Sequence, residues 1–314
     1  MTGFSRERSA LAEPDPTAQS RDPARPGLAG ASPAPKPAPA CPDRLSGWGP
    51  GFFFAVGLVG GGLGWVAMRL TVLGGCGAWP EAGQACSGFL VEHDGFRLVL
   101  DLGYATVPRL LGRAAPGQVD AVFISHGHPD HCADLNPLLR ARVLRDDPAG
   151  ALPVYALPGA LDAVLALDRP GMLAGALELT KLSPGERLEI GPFRAQTWLL
   201  PHSVPNAGVR LAAGEVVLAY TGDCGPSPLL AELAAQADLL LAEASYVDQV
   251  PQDLQRYLSS AAQAGRRAAQ AEARRLLLTH LLPGTDPAAA RGAATSNYAG
   301  HVGVAAPGLV LDLQ

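Results

Sequence analysis

From residue 68 to residue 314, short apolar runs alternate with longer segments in which apolar residues recur every three or four positions. The first pattern is typical of buried β-strands, and the second of helices that pack one face against a core. The predicted strands are 69–74, 86–92, 96–102, 120–125, 153–156, 193–201, 208–212, 216–221, 238–243, 274–279 and 308–313. The predicted helices are 105–114, 131–141, 159–167, 227–236, 259–272 and 286–292. Two strand-rich halves, each with helices, favour an α/β fold with two packed sheets and helices outside.

The first 67 residues differ in character from the rest of the chain. Residues 1–46 are rich in proline and poor in periodic apolar content, which predicts disorder. Residues 47–68 carry no charge and are long enough to span a bilayer, although their many glycines weaken a helical interpretation. A strand pattern starts at Arg69. Residues 1–67 are therefore either a genuine tail, for which a membrane anchor is one option, or the product of a gene start that was placed too far upstream. We therefore expect one folded domain at 68–314.

Composition narrows the compartment and the partners. The formal net charge of −5 gives no electrostatic reason to expect a nucleic-acid partner. The five cysteines show no paired spacing, which favours reduced thiols and a cytoplasmic location.

Histidines and acids are concentrated at the ends of predicted strands. The segment ISHGHPDHCADL, residues 124–135, follows a buried-strand pattern, and three later strands each end just before a histidine or an aspartate. Imidazole and carboxylate are typical ligands of zinc and related divalent ions, and four such groups in six residues exceed what one tetrahedral ion needs from one loop. The sequence therefore predicts two metals at one edge of the sheets. The residues concerned are His126, His128, Asp130, His131, His202, Asp223 and His280.

The order H-x-H-x-D-H, a later histidine, T-G-D and then T-H resembles the signature of the metallo-β-lactamase superfamily of metal-dependent hydrolases. The resemblance extends over essentially all of 68–314 and implies a four-layer αββα sandwich. It implies one metal on His126, His128 and His202, and a second on Asp130, His131 and His280. Asp223 would bridge the two, and a hydroxide held between them would be the nucleophile. The implied ions are zinc, or alternatively manganese.

Asp223 and its surroundings indicate which branch the chain resembles. The β-lactamases of this superfamily place a cysteine ligand at that step, whereas here Cys224 comes one residue later, so β-lactam hydrolysis is not expected. The stretches RLTVLGGCG, TGDCGPSPLL and LLLTHLLPGTDP resemble ribonuclease Z and related phosphodiesterases, including a bacterial subgroup that is often actinobacterial. That resemblance implies phosphodiester substrates.

Two departures from ribonuclease Z argue against tRNA 3′-processing and against efficient cleavage of phosphodiesters. Bacterial ribonuclease Z inserts a tRNA-gripping arm between the third histidine and the bridging aspartate, but here only 20 residues separate His202 from Asp223. The family usually carries a histidine near the stretch QRYLSSAAQAG, where this chain offers Tyr257. A phenol can donate a hydrogen bond to a leaving group, but it is a weaker acid than imidazolium.

The sequence therefore predicts a dinuclear metal-dependent phosphodiesterase with a cyclic nucleotide or another small phosphodiester as substrate. Asp130, Asp223 and Tyr257 are the predicted catalytic residues. A thioester or lactone hydrolase is the nearest alternative, because the same nucleophile attacks a carbonyl. A non-catalytic metal-binding sensor is a second alternative, motivated by the missing histidine. A homodimer is a further expectation from the branch.

Overall fold

The computed structural model describes residues 68–314. The predictions made for 1–67, including disorder and the membrane anchor, lie outside the described residues. Within residues 68–314, no helix has the length and apolar character needed to cross a membrane.

The first sheet has seven strands in the order β14-β1-β2-β3-β4-β5-β6. Its strands β3 to β6 run parallel, and β14, β1 and β2 complete it in antiparallel pairings. The bounds are β1 Met68–Gly74, β2 Gly88–His93, β3 Phe96–Leu102, β4 Ala121–Ile124, β5 Leu152–Ala156, β6 Leu177–Lys181 and β14 Val310–Leu313.

The second sheet has the order β13-β12-β11-β10-β9-β8-β7. Here β10 to β13 are parallel and β7 to β10 form an antiparallel meander. The bounds are β7 Arg187–Ile190, β8 Phe193–Leu200, β9 Asn206–Ala213, β10 Val216–Tyr220, β11 Leu239–Glu243, β12 Arg275–Thr279 and β13 His301–Val304.

Helices lie over the outer face of each sheet. Their bounds are α1 Val107–Leu111, α2 Pro129–Cys132, α3 Leu135–Val143, α4 Asp162–Leu165, α5 Leu229–Ala234, α6 Ala261–Gln270 and α7 Pro287–Thr295. Helix α6 starts with a capping box, in which Ser260 and Gln263 each satisfy the other's backbone N–H.

Three apolar clusters account for the layers. One lies between the sheets, and its buried aromatic residues include Phe89, Phe123 and Tyr220. A second joins the outer face of the second sheet to α5, α6 and α7, and a third joins the first sheet to α1, α3 and α4. All positions of β4 and β11 are buried, because strands in the middle of a parallel sheet are covered on both faces. The predicted αββα sandwich is confirmed.

The differences from the predicted elements lie at sheet edges and in one helix. Strands β6, β7 and β13 were not predicted, and each is an edge strand, where one side faces solvent and no continuous apolar run is required. The helix predicted at 131–141 is two helices. It is broken at Asp134, whose backbone N–H donates to the Leu102 carbonyl and whose carboxylate accepts from the Val107 N–H.

Candidate metal centre

The seven predicted ligands meet at one edge of the two sheets. They follow the carboxyl ends of β4, β8, β10 and β12, so both sheets contribute. The loop after β4 needs glycine at 127, because a Cβ there would lie 2.6 Å from the Ala160 carbonyl oxygen. Pro129 then occupies the first turn of α2, where its missing N–H costs nothing. This turn carries Asp130 and His131 toward the centre.

The first group consists of three imidazoles. The His128 Nδ1 atom lies 3.1 Å from the His126 Nε2 atom and 3.1 Å from the His202 Nε2 atom. His126 is fully buried, whereas His128 and His202 are half-buried, so this group faces the open side of the centre. Its ligand atoms all lie within 4.8 Å of one another.

The second group consists of two carboxylates and two imidazoles, all buried. The His280 Nε2 atom lies 3.0 Å from Asp223 Oδ2 and 3.1 Å from Asp130 Oδ2. The His131 Nε2 atom lies 3.2 Å from Asp223 Oδ1. Asp223 also reaches toward the first group, since its Oδ2 atom is 4.0 Å from His126 Nε2.

Hydrogen bonds behind the ring nitrogens fix which nitrogen faces the centre. The His202 Nδ1–H donates to the Tyr257 carbonyl over 2.8 Å, and His131 Nδ1–H donates to Asp101 over 2.7 Å. Because a carbonyl and a carboxylate only accept, Nδ1 carries a proton in both rings, and Nε2 is the nitrogen that faces the centre. His128 is turned the other way, with Nδ1 inward.

The comparisons with known proteins agree with this geometry. A family model described as the beta-lactamase superfamily domain matches residues 95–281. A probable metallo-hydrolase of Bacillus subtilis, YhfI, is 30% identical over 217 residues, which cover 68% of this chain and 87% of that protein. The chain belongs to the metallo-β-lactamase superfamily, in its ribonuclease Z-like branch.

A solved structure and a further relative support this placement within the superfamily. The crystal structure of YhfI superposes with a TM-score of 0.71 at 28% identity, covering 78% of this chain and 99% of that one. A ribonuclease Z of Haloferax volcanii is 26% identical over 306 residues, covering 79% of this chain and 96% of that protein.

The donor set fits the divalent ions that this superfamily of metal-dependent hydrolases uses. The His131 Nε2 and Asp223 Oδ1 atoms are buried, and neither has a hydrogen-bond partner among residues 68–314, although they lie 3.2 Å apart. Buried polar atoms without partners are costly, and a cation between them would satisfy both. Imidazole and carboxylate together suit zinc and similar ions.

The two ligand groups differ in the protonation state that their surroundings favour for the histidines. Burial lowers the pKa of His126, His128 and His202, so the first group favours neutral imidazole. In the second group burial opposes protonation as well, but the negative charge of Asp223 and the hydrogen bonds to Asp130 and Asp223 together outweigh it and raise the pKa of His280 to about 10. In the protein without metal, the protonated imidazole of His280 therefore supplies the positive charge that the carboxylates of the second group attract.

The other predicted residues fall into clear positions. Asp101 accepts a hydrogen bond from the Nδ1–H of His131. Cys224 is fully buried and belongs to neither ligand group, and Cys132 packs in the core. Tyr257 reaches the centre through its backbone carbonyl. Among residues 68–314, no hydrogen bond joins its phenol to the seven ligands.

Sequence reasoning missed two residues beneath the centre, Glu243 and Ser245. Glu243 is the last residue of β11 and is fully buried, and Ser245 lies 2.8 Å from His280 Nδ1. The available signal was an acid at the end of the apolar run ADLLLAE, the same signal that marks Asp101 at the end of LVLD.

Proposed function

We propose that the chain is a dinuclear metal-dependent phosphodiesterase that hydrolyses small phosphodiesters, with cyclic nucleotides as the first candidates. The observation that carries this proposal is the position of Asp223. Its two oxygens lie within 3.2 Å of His131 and His280 and within 4.0 Å of His126, so one carboxylate faces both groups. That arrangement fits two cations that share one bridging ligand.

The proposed metals are zinc ions, with manganese as the alternative, and each would be held by one of the two groups described above. Such ions lower the pKa of a coordinated water toward neutrality and offset the charge that develops on an attacked phosphoryl group. The chain itself supplies orientation. Its buried hydrogen bonds keep the imidazole lone pairs pointing inward before any substrate arrives.

Two features favour a small phosphodiester substrate. A relative at 26% identity is named ribonuclease Z, and ribonucleases act on phosphodiester linkages. The connection from His202 to Asp223 consists mostly of the β9–β10 hairpin, whose strands join at a tight turn around Gly214, so no arm extends from it. Together with the net charge of −5, this favours small substrates over tRNA and a stable nucleic-acid partner.

Tyr257 is the proposed source of the leaving-group proton. Its carbonyl already accepts a hydrogen bond from His202, so its backbone is fixed beside the first ligand group. A phenol next to the scissile bond would donate a hydrogen bond to the departing oxygen. Substrates with good leaving groups are therefore expected to be favoured.

The test is hydrolysis of bis(p-nitrophenyl) phosphate by the full chain loaded with zinc or manganese. Asp223→Ala is expected to remove turnover. Asp312→Ala, which removes an exposed carboxylate paired with Arg69, is the matched control and should retain it. Cyclic nucleotides, an acyl thioester and a lactone are assayed in parallel.

The outcomes separate the alternatives. Turnover of the phosphodiester that needs both metal and Asp223 supports the proposal. Turnover of the thioester or a lactone alone overturns it in favour of acyl substrates. Two bound metals per chain without turnover of any ester overturn it in favour of a non-catalytic sensor.

A further inference from the structure

We propose that Ser245 and Glu243 are positioning residues that hold His280 with its Nε2 lone pair toward the second metal. The proposal rests on the metal centre proposed above and assigns a role to two buried residues that lie outside the seven ligands. It follows from the direction in which protons must point along the chain of contacts from Glu243 to His280.

The carboxylate of Glu243 is surrounded by donors. The Cys224 N–H donates to Oε2 over 2.6 Å, and the Ser259 N–H donates to Oε1 over 3.0 Å. The Ser245 hydroxyl donates to Oε1 over 2.7 Å. Glu243 is only 1% exposed, so water does not compete for these contacts.

The serine hydroxyl has a single proton, which fixes the rest of the chain. If Ser245 donates that proton to Glu243, its oxygen can only accept from His280 Nδ1, which lies 2.8 Å away. His280 then carries a proton on Nδ1, and its Nε2 atom, which faces Asp130 and Asp223, would offer its lone pair to a metal once the metal replaces the second ring proton. A histidine that binds a metal through Nε2 must carry its proton on Nδ1.

The first ligand loop contains the same device. The Ser125 hydroxyl donates to Asp101 over 2.7 Å and lies 3.0 Å from His126 Nδ1. Asp101 is the penultimate residue of β3 and Glu243 is the last residue of β11, so each sheet supplies one buried carboxylate and one serine behind one histidine. The repetition at both halves of the centre favours a positioning role over a purely local packing role.

The metal-loaded protein is the right state for the test. Burial, and after it the negative charge of Asp223, raises the pKa of Glu243 to about 8 in the protein without metal. A cation beside Asp223 offsets that negative charge and so favours the carboxylate that directs the Ser245 proton.

The experiment compares Ser245→Ala, Ser245→Thr and Ser259→Ala in the full chain by zinc titration. Ser245→Ala is expected to weaken the second zinc about 10- to 100-fold, the usual cost of losing such a contact, and to leave the first zinc unchanged. Ser245→Thr keeps the hydroxyl and should restore affinity. Ser259→Ala removes a buried hydroxyl of the same cluster that contacts Cys224 and Arg267 and does not contact His280, so it should leave zinc affinity unchanged.

A spectroscopic readout separates positioning from loss of stability. In zinc-loaded protein labelled with ¹⁵N-histidine, the His280 Nδ1–H is expected to give a slowly exchanging resonance. Ser245→Ala should lose this protection and Ser245→Thr should retain it. Glu243→Gln should weaken the second zinc to a similar extent, because an amide has one accepting oxygen for three donors. The double variant with Ser245→Ala should lose no more, since both act through one hydrogen bond.

Three results overturn the inference. They are unchanged binding of the second zinc in Ser245→Ala, equal weakening in Ser259→Ala, and additive losses in the double variant. These results leave the proposed function intact. A wild-type chain that binds fewer than two metals overturns the proposed function and this inference together.

Discussion

The Nδ1 atom of His131 lies 2.7 Å from an oxygen of Asp101, and the Asp101 carboxylate accepts from Ser125 and Tyr220 as well. Asp101 is fully buried and sits at the end of β3 with a φ of 57°, a left-handed conformation that is unusual for aspartate. Such strain is kept only where surrounding contacts fix the residue. The contacts here join the ligand loop of the first sheet to β10 of the second.

Asp101→Asn is expected to weaken zinc binding about 10- to 100-fold, because the amide can present a donor to His131 where the carboxylate accepts. It should also lower the free energy of unfolding by about 1–3 kcal/mol through unsatisfied buried donors. Zinc titration and urea denaturation of the metal-free protein measure the two effects.

Asp120→Asn is the control for Asp101→Asn, because within residues 68–314 its carboxylate accepts only from the Arg97 backbone N–H, and it precedes β4, at the opposite end of that strand from the ligand loop. Zinc affinity in this variant should match the wild type. Equal zinc affinity in Asp101→Asn and the wild type would contradict the support that we assign to Asp101.

The metal-free protein should lose stability as pH rises above neutrality. The pKa of His280 is raised from 6.5 to about 10, so its stabilising contribution is complete below pH 6.5 and disappears as pH passes through 10. The pKa values of Asp130 and Asp223 are lowered, so their contribution is lost on the acid side, below about pH 4. Thermal melts of metal-free protein at pH 7, 8.5 and 10 should show a falling Tm.

Zinc should flatten this alkaline slope, because the cations replace the protons that the second ligand group holds. His280→Gln should reduce the slope in the metal-free protein, whereas His301→Gln, at an exposed position, should leave it unchanged. A Tm that rises between pH 7 and pH 10 without metal would contradict the protonated state that we assign to His280.

Gly103→Ala should displace the second ligand group. A Cβ at this position would overlap the Asp130 carbonyl, which is backbone and cannot rotate away. The expected result is loss of the second zinc together with a lower Tm. Gly292→Ala is the matched control, because a Cβ there meets nothing within 4 Å and the residue lies in α7. It should stabilise the protein by about 0.5–1 kcal/mol through helix propensity.

Tyr257→Phe should reduce kcat more for a phosphodiester with an alkoxide leaving group than for bis(p-nitrophenyl) phosphate, because only the poor leaving group needs a proton. The backbone carbonyl that accepts from His202 remains in the variant. The two substrates therefore control for each other within one protein. Equal effects on both substrates would contradict the leaving-group role that we propose for the Tyr257 phenol.

Much of the site could be predicted from the sequence because the end of a buried strand can be recognised from a few neighbouring residues. A buried strand ends where apolar residues stop, and His126, His202, Asp223 and His280 each follow such a point within a few residues. The central strands and the αββα order follow from the same periodicity. Edge strands such as β6 lacked the signal, because their burial is slight.

The sequence by itself determined the fold, the seven candidate ligands and the branch of the superfamily. Only the tertiary structure decided which atoms face one another. Ser245 lies 35 residues from His280 along the chain, and Tyr257 supports His202 through a backbone atom that no side-chain pattern reveals. The orientation of a histidine ring and the position of its proton depend on partners from other strands. Such partners are brought together by sheet packing, which local sequence does not encode.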